Sequence, residues 1–297
     1  MSDDEGTWIS LSTGQISAKI NPMGAQLSVL RDQSELDLLW NGDPTVWSGR
    51  APILFPIVGA LAGGVYRLGS ATYSLSRHGF ARGKAFEVIE ANDTAALFRL
   101  RADEATRAIY PFDFELDIQF ELRQATLAVS ALIRNNGDAD MPASFGFHPA
   151  FRWPLPYAKS RAAHFIEFEQ EEPAPIRRLS PQGLLAPTPH PTPIRARRLM
   201  LDDALFRDDA IIMDQVRSSA VTYGAEGAPR VRVSYPDTPY LGLWSKPGNF
   251  ICIEPWHGIA DPEGFAGDFR EKPGVLSVAS DATIEIRMEI RVDRTEA

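Results

Sequence analysis

Apolar and polar residues alternate one for one over long stretches of this chain, and that period leaves little room for anything but β-strand. Phe114, Leu116, Ile118, Phe120 and Leu122 alternate with Glu115, Asp117, Gln119 and Glu121. Further on, Ile284, Ile286, Met288, Ile290 and Val292 alternate with Glu285, Arg287, Glu289 and Arg291. Successive strand side chains point to opposite faces, so each run is a strand with one packed and one wet face. Leu127, Val129, Ala131 and Ile133 follow the first run after a short connection, as in an antiparallel hairpin. Asn135-Asn136-Gly137-Asp138 supplies the next turn. Other strands are expected over 16–20, 25–30, 86–90, 96–100, 210–214, 231–235 and 241–245. Helix is confined to 103–110, where Pro111 stops it. Neither a repeat nor a linker divides the chain. Residues 1–297 are therefore expected to form one all-β domain, a large antiparallel β-sandwich with few short helices.

The formal charge of −9 leaves no basic excess to neutralise phosphates, which argues against nucleic acid as a partner. One cysteine, Cys252, excludes an internal disulfide, and its apolar surroundings suit a core position better than a nucleophile. An acidic start without an apolar run, and no stretch of 18 apolar residues, predict a cytoplasmic protein with no membrane partner.

Three segments carry candidate chemistry. The apolar run Phe250-Ile251-Cys252-Ile253 leads into Glu254-Pro255-Trp256-His257, which reads as a buried strand ending in a carboxylate. Such a carboxylate must be paired or used. Beside a tryptophan it suits carbohydrate, and it would equally suit a structural acid held by an arginine. Arg77-His78-Gly79-Phe80-Ala81-Arg82 makes a compact cationic turn. In Ser144-Phe145-Gly146-Phe147-His148-Pro149, a histidine lies among phenylalanines, where burial and a neighbouring acid would tune its titration. The stretch 49–59, bracketed by Pro52 and Pro56, reads as a rigid wall presenting Arg50 and Trp47. The proline-rich segment 171–198 is the least regular and reads as a surface excursion or a lid. No helix-borne His-x-x-x-His or Glu-x-x-His pair favours a metal, and no Gly-x-Ser-x-Gly elbow favours a serine hydrolase. One acid and one base acting without metal or cofactor would suffice for proton transfer on a polar substrate.

Together, His-Gly-Phe-Ala-Arg at 78–82, Gly-Phe-His-Pro-Ala-Phe at 146–151 and Cys-Ile-Glu-Pro-Trp-His-Gly at 252–258 resemble the aldose 1-epimerase (galactose mutarotase-like) family, LacX-like branch. Asn21-Pro22-Met23-Gly24-Ala25, the wall 50–59 and Tyr240-Leu241-Gly242-Leu243-Trp244-Ser245 fit the same branch. The resemblance implies a β-supersandwich and interconversion of sugar anomers by ring opening. By it, Glu254 is the general base and His148 the general acid. His78, Arg50, Arg82, Trp244 and Asp209 (or its neighbour Asp208) would contact the sugar. A related branch acts on hexose 6-phosphates through arginines, so Arg50 and Arg82 keep a phosphorylated substrate open. A sugar-binding protein without turnover, and a glycoside hydrolase using Glu254 and Asp209, are the competing expectations.

Overall fold

The computed structural model describes residues 8–236 and 238–293. The long alternating runs lie side by side in its largest sheet. Phe114–Arg123 pairs with Thr126–Asn135 from Arg123 opposite Thr126 to Phe114 opposite Asn135, and Thr283–Asp293 lies on the far side of Thr126–Asn135. Outward from this centre run Ala95–Arg101 and Glu87–Ala91 on one flank, and Arg230–Ser234, Ala220–Gly224, Phe165–Phe168 and Arg198–Met200 on the other. All nine are antiparallel. On the outer face Arg99, Arg101 and Arg134 cover Glu115 and Asp117, which explains how two acids in the wet register become nearly buried.

A second sheet places Ile211–Met213, Tyr240–Trp244, Phe250–His257, Phe145–Phe147 and Ile53–Leu54 in that order, with Ala150–Arg152 also paired to Phe250–His257. Its two faces follow the period of two. Ile211, Leu241, Leu243, Ile251, Ile253, Phe145 and Phe147 enter one core cluster with Phe98, Phe114, Val129 and Ile290 of the large sheet. That shared core makes the structure an antiparallel β-sandwich, as the alternation predicts. Ile212, Trp244, Cys252, Glu254 and Trp256 lie on the opposite face, beyond the sandwich core.

Helix is indeed scarce. Glu104–Ile109 is the α-helix among the described residues, opened by a capping box between Asp103 and Thr106. Strand boundaries differ from expectation by a residue or two, as at Gln26–Asp32 and Ile211–Met213. One difference matters for function. Glu254 does not end its strand; the strand continues through Pro255, paired with Leu241, to His257. The segment 171–198 buries Ile176, Leu185 and Ile194 and is pinned to the sheet, where the Arg177 N–H donates to Ile212 O at 2.8 Å. It packs on the sheet as a wall. No helix among the described residues is long and apolar enough to cross a membrane.

Candidate active site

Strand register brings the two central groups together. Phe145 pairs with His257 and Ala150 with Cys252, so counting inward from either side sets His148 directly across from Glu254. Between those paired segments the ladder opens at Phe147-His148-Pro149, and only Ile253 N–H to Pro149 O, at 3.2 Å, bridges it. Cross-strand neighbours on one face are within reach of each other. Here His148 Nε2 and Glu254 Oε2 are 3.0 Å apart, with both residues buried.

On the other flank Gly242 is the partner of Glu254. Trp256, two residues beyond Glu254 on the same face, lies across the sheet. A Cβ on Gly242 would fall 2.3 Å from its ring, and one on Gly146 would fall 2.6 Å from it. Glycine on both sides thus lets an indole lie flat as the floor beside the carboxyl. We expect Gly242→Ala to tilt Trp256 and to cost about 1–3 kcal/mol by overpacking, read from the urea midpoint and from the near-UV tryptophan signal.

Over this floor opens a cavity of roughly 770 Å³ including its mouth, a size suited to a small molecule. Trp47 and Trp244 form one wall. Trp47 stacks on Phe250 at 5.4 Å, meets Trp244 edge-on at 5.3 Å and lies 5.1 Å from the His148 ring. Arg77, His78 and Arg82 form a second, and Leu179 and Gly183 of the excursion a third. The Arg77 guanidinium rests on Gly183, where a Cβ would come within 1.8 Å of Nη2. Arg82 Nη2 donates to Arg77 O at 2.8 Å. Among the described residues, no carboxylate forms an ion pair with either guanidinium.

His78 adopts a left-handed backbone, φ 69°, which costs a non-glycine residue on the order of 1–3 kcal/mol and clusters at functional sites. Reciprocal contacts hold it: its N–H donates to Gly59 O at 2.9 Å, and the Gly59 N–H donates to its Nδ1 at 3.2 Å. Nδ1 is therefore the acceptor, and the ring's proton sits on Nε2. Burial of the ring, then His148 and the two guanidiniums, push His78 well below the usual histidine range, so it is neutral.

Burial also separates the central pair. It pushes His148 down to about 3, with Arg82 adding to the effect. It pushes Glu254 well above the carboxylate range, helped by the negative Asp209. The Trp256 indole N–H leans on the Glu254 carboxyl without closing a full hydrogen bond, and opposes that shift weakly. In this environment the pair holds one proton, resting on the carboxyl.

The sequence-predicted residues are thus mostly gathered. Glu254, His148, His78, Arg82, Trp244 and Asp209 all line the cavity. Asp209 does so with φ 64° and with Oδ1 accepting from the Ala210 N–H at 2.8 Å; Asp208 is not among the lining residues. Arg50 is elsewhere. Its Nη1 donates to Ser28 O at 3.0 Å and its guanidinium lies 5.0 Å over the Trp8 ring, because Ser28 of strand Gln26–Asp32 offers it an acceptor and Trp8 a flat face. Arg77 of the cationic turn, to which no sugar contact was assigned from sequence, stands at the cavity instead. Cys252 is fully buried, as expected, yet its sulfur lies within 4.8 Å of the His148 and Glu254 donor atoms.

Comparison with known proteins agrees with this geometry. The family model for aldose 1-epimerase matches residues 7–273. The plasmid form of protein LacX from Lactococcus lactis subsp. lactis is 31% identical over 281 residues, covering 91% of this chain and 94% of that protein. The structure of a galactose mutarotase related enzyme from Lactobacillus acidophilus superimposes with a TM-score of 0.89 at 28% identity, over 97% of this chain and 98% of that one. A galactose mutarotase-like protein from Lactobacillus casei ATCC 334 gives 0.89 and 28%, over 96% and 99%. A sandwich of this topology, carrying these motifs along nearly its whole length, belongs to the aldose 1-epimerase family.

Proposed function

We propose that this protein is a cofactor-independent aldose 1-epimerase that interconverts the α and β anomers of a hexose or hexose phosphate. The 3.0 Å contact between His148 Nε2 and Glu254 Oε2, facing a cavity walled by tryptophans, carries the reading. Ring opening removes a proton from the C1 hydroxyl and delivers one to the ring oxygen. Both oxygens sit on one carbon, so the groups that serve them must stand side by side. The group 3.0 Å from the Glu254 carboxyl is an imidazole and not a second carboxyl, which fits anomer exchange better than glycoside hydrolysis.

The proton balance closes without any other group. When a sugar binds over the two side chains, the pair's proton passes from Glu254 to His148 across their 3.0 Å contact, leaving Glu254 ionised and His148 protonated. Glu254 takes the C1–OH proton, the C1 carbonyl forms, the C1–O5 bond breaks and His148 gives its proton to O5. Glu254 is then protonated and His148 neutral, the arrangement that burial favours in the free protein. Rotation about C1–C2 and reclosure with the roles reversed yield the other anomer. His78, with its proton on Nε2, donates to a sugar oxygen, while Trp47, Trp244 and Trp256 offer flat apolar faces. Asp209 accepts from hydroxyls. Arg77 and Arg82 bring two unpaired positive charges to the mouth and suit a phosphate on the sugar. A guanidinium hydrogen-bonded to an anion contributes about 1.5–3 kcal/mol. Arg77→Gln should therefore raise KM for glucose 6-phosphate about tenfold or more and leave KM for glucose nearly unchanged. An equal effect on both sugars would remove phosphate from the reading.

The pair also shapes stability against pH. Unfolded, the glutamate and histidine titrate near 4.5 and 6.5. Between those values the folded and unfolded pairs each hold one proton, so the pair's contribution is flat. Below 4.5 the unfolded pair takes a second proton, which the folded one refuses until about 3, and stability falls with acid. At higher pH the raised titration of Glu254 keeps its proton on the folded chain longer than on the unfolded one, so stability falls with rising pH through that group. Unfolding free energies of wild type minus those of the Glu254→Gln/His148→Asn double variant should trace this plateau. A difference that rises steadily through neutrality would contradict the shared proton.

A further inference from the structure

We propose that the sugar cavity is also a binding site for a thiophilic divalent cation, Zn²⁺, held by His148, Cys252 and Glu254, and that cation and sugar exclude each other. Among the described residues one group of buried histidine, cysteine and acid side chains places its donor atoms within 4.8 Å of one another, and it is this one. The strand period explains why no linear motif announces it. Cys252 and Glu254 are two residues apart on one strand and share its outer face, and register sets His148 opposite Glu254.

The geometry is close to what zinc needs. Bonds of about 2.0–2.3 Å in a tetrahedral site put neighbouring donor atoms roughly 3.3–3.6 Å apart. The His148–Glu254 contact, 3.0 Å, would open slightly, and the sulfur, within 4.8 Å, would close in by side-chain rotation. One sulfur, one nitrogen and one carboxylate oxygen form a donor set of the kind that selects zinc over magnesium or calcium. Three protein ligands leave the fourth position facing the cavity, which both His148 and Glu254 line.

Charge also balances in this buried setting. Coordination takes Cys252 as thiolate, His148 as neutral imidazole and Glu254 as carboxylate. One thiolate and one carboxylate then neutralise the cation, with no net charge left among buried walls. The other contacts of Cys252 are apolar: Trp40, Ala150 and Phe250, with Trp47 and Trp244 packed against that cluster. Cys252 itself does not line the cavity, so a cation would reach its sulfur by way of His148 and Glu254, which do.

The test is calorimetric titration of tag-free full-length protein with Zn²⁺ at neutral pH, in buffers of different ionisation enthalpy. One cation should bind per chain with release of protons, and saturating Mg²⁺ should not compete. The Co²⁺ complex should show a thiolate-to-metal charge-transfer band in the near ultraviolet. Cys252→Ala should abolish that band and weaken Zn²⁺ binding at least tenfold, and Cys252→Ser serves if the alanine variant does not fold. Sugar that binds the cavity should raise the apparent Kd for Zn²⁺ in proportion to its concentration. No saturable Zn²⁺ binding by wild type would overturn the proposal, as would binding without the cobalt band or indifferent to Cys252. These readouts need no turnover, so they stand apart from any failure of the epimerase reading.

Discussion

Replacing Glu254 by Gln, or His148 by Asn, should slow anomer exchange by about 10²–10⁴, the contribution of a positioned acid or base. The two groups pass protons to neighbouring oxygens in one event, so either loss disables both transfers. The double variant should then be little worse than the worse single one, as for residues that act as a unit. Loss of fold is separable from loss of chemistry. Burial holds Glu254 well above the carboxylate range, so ionising it in the folded state is costly. Gln has the same shape and cannot ionise. Glu254→Gln should therefore be at least as stable as wild type above neutral pH, yet nearly inactive. Full activity in that variant, measured by NMR exchange between anomer signals, would remove Glu254 from the reaction.

Lys272→Met should be among the most destabilising single changes in the chain. Lys272 is fully buried, with Nζ 2.9 Å from Asp261 Oδ1. Desolvation lowers its titration, and the carboxylate opposes that shift. Asp261 is a junction. Its Oδ2 accepts from the Ala62 N–H at 2.8 Å, its N–H donates to Ala60 O at 2.9 Å and its O accepts from the Leu185 N–H at 2.8 Å. Those contacts tie the loop carrying Gly59, and through it His78, to the wall carrying Leu179 and Gly183. Removing one partner of a buried pair leaves an uncompensated charge and costs about 3–5 kcal/mol. The urea midpoint should fall accordingly, and Asp261→Asn in the same chain should restore part of the loss. A midpoint unchanged in Lys272→Met would mean that the pair contributes nothing net.

The centre of the large sheet was legible because its long strands alternate, whereas Phe165–Phe168, Arg198–Met200 and Ala220–Gly224 on its flank were not read, being short and, in two cases, nearly buried on both faces. Thr283–Asp293 could be read from its alternating charges alone. Phe145–Phe147 and Ala150–Arg152 could not, since each is three residues long, too short for the alternation to show, and the first is wholly buried. The position of Glu254 within its strand was hidden for a related reason: Pro255 signals a strand end, yet here it sits opposite Leu241 in the ladder. Cavity residues could be named from their motifs because each motif combines a reactive group with the glycine or proline that shapes its backbone. Direction could not. Arg50 opens a wall that does border the site, but its side chain turns to Ser28 and Trp8. Arg77, one residue from His78, reaches the mouth because Gly183 of a distant segment makes room for it. The partnership of His148 with Cys252 and Glu254 is likewise a matter of register, which no spacing along the chain records.

Anomer exchange by wild-type protein is the most direct measurement. Freshly dissolved α-glucose, galactose and glucose 6-phosphate would be followed by NMR at low buffer concentration, with and without the protein. Equilibration of at least one sugar should accelerate in proportion to protein concentration, with a faster rate for the phosphorylated sugar if Arg77 and Arg82 hold its phosphate. Saturable binding of a sugar with no acceleration would contradict proton transfer by Glu254 and His148 and leave a binding protein in its place.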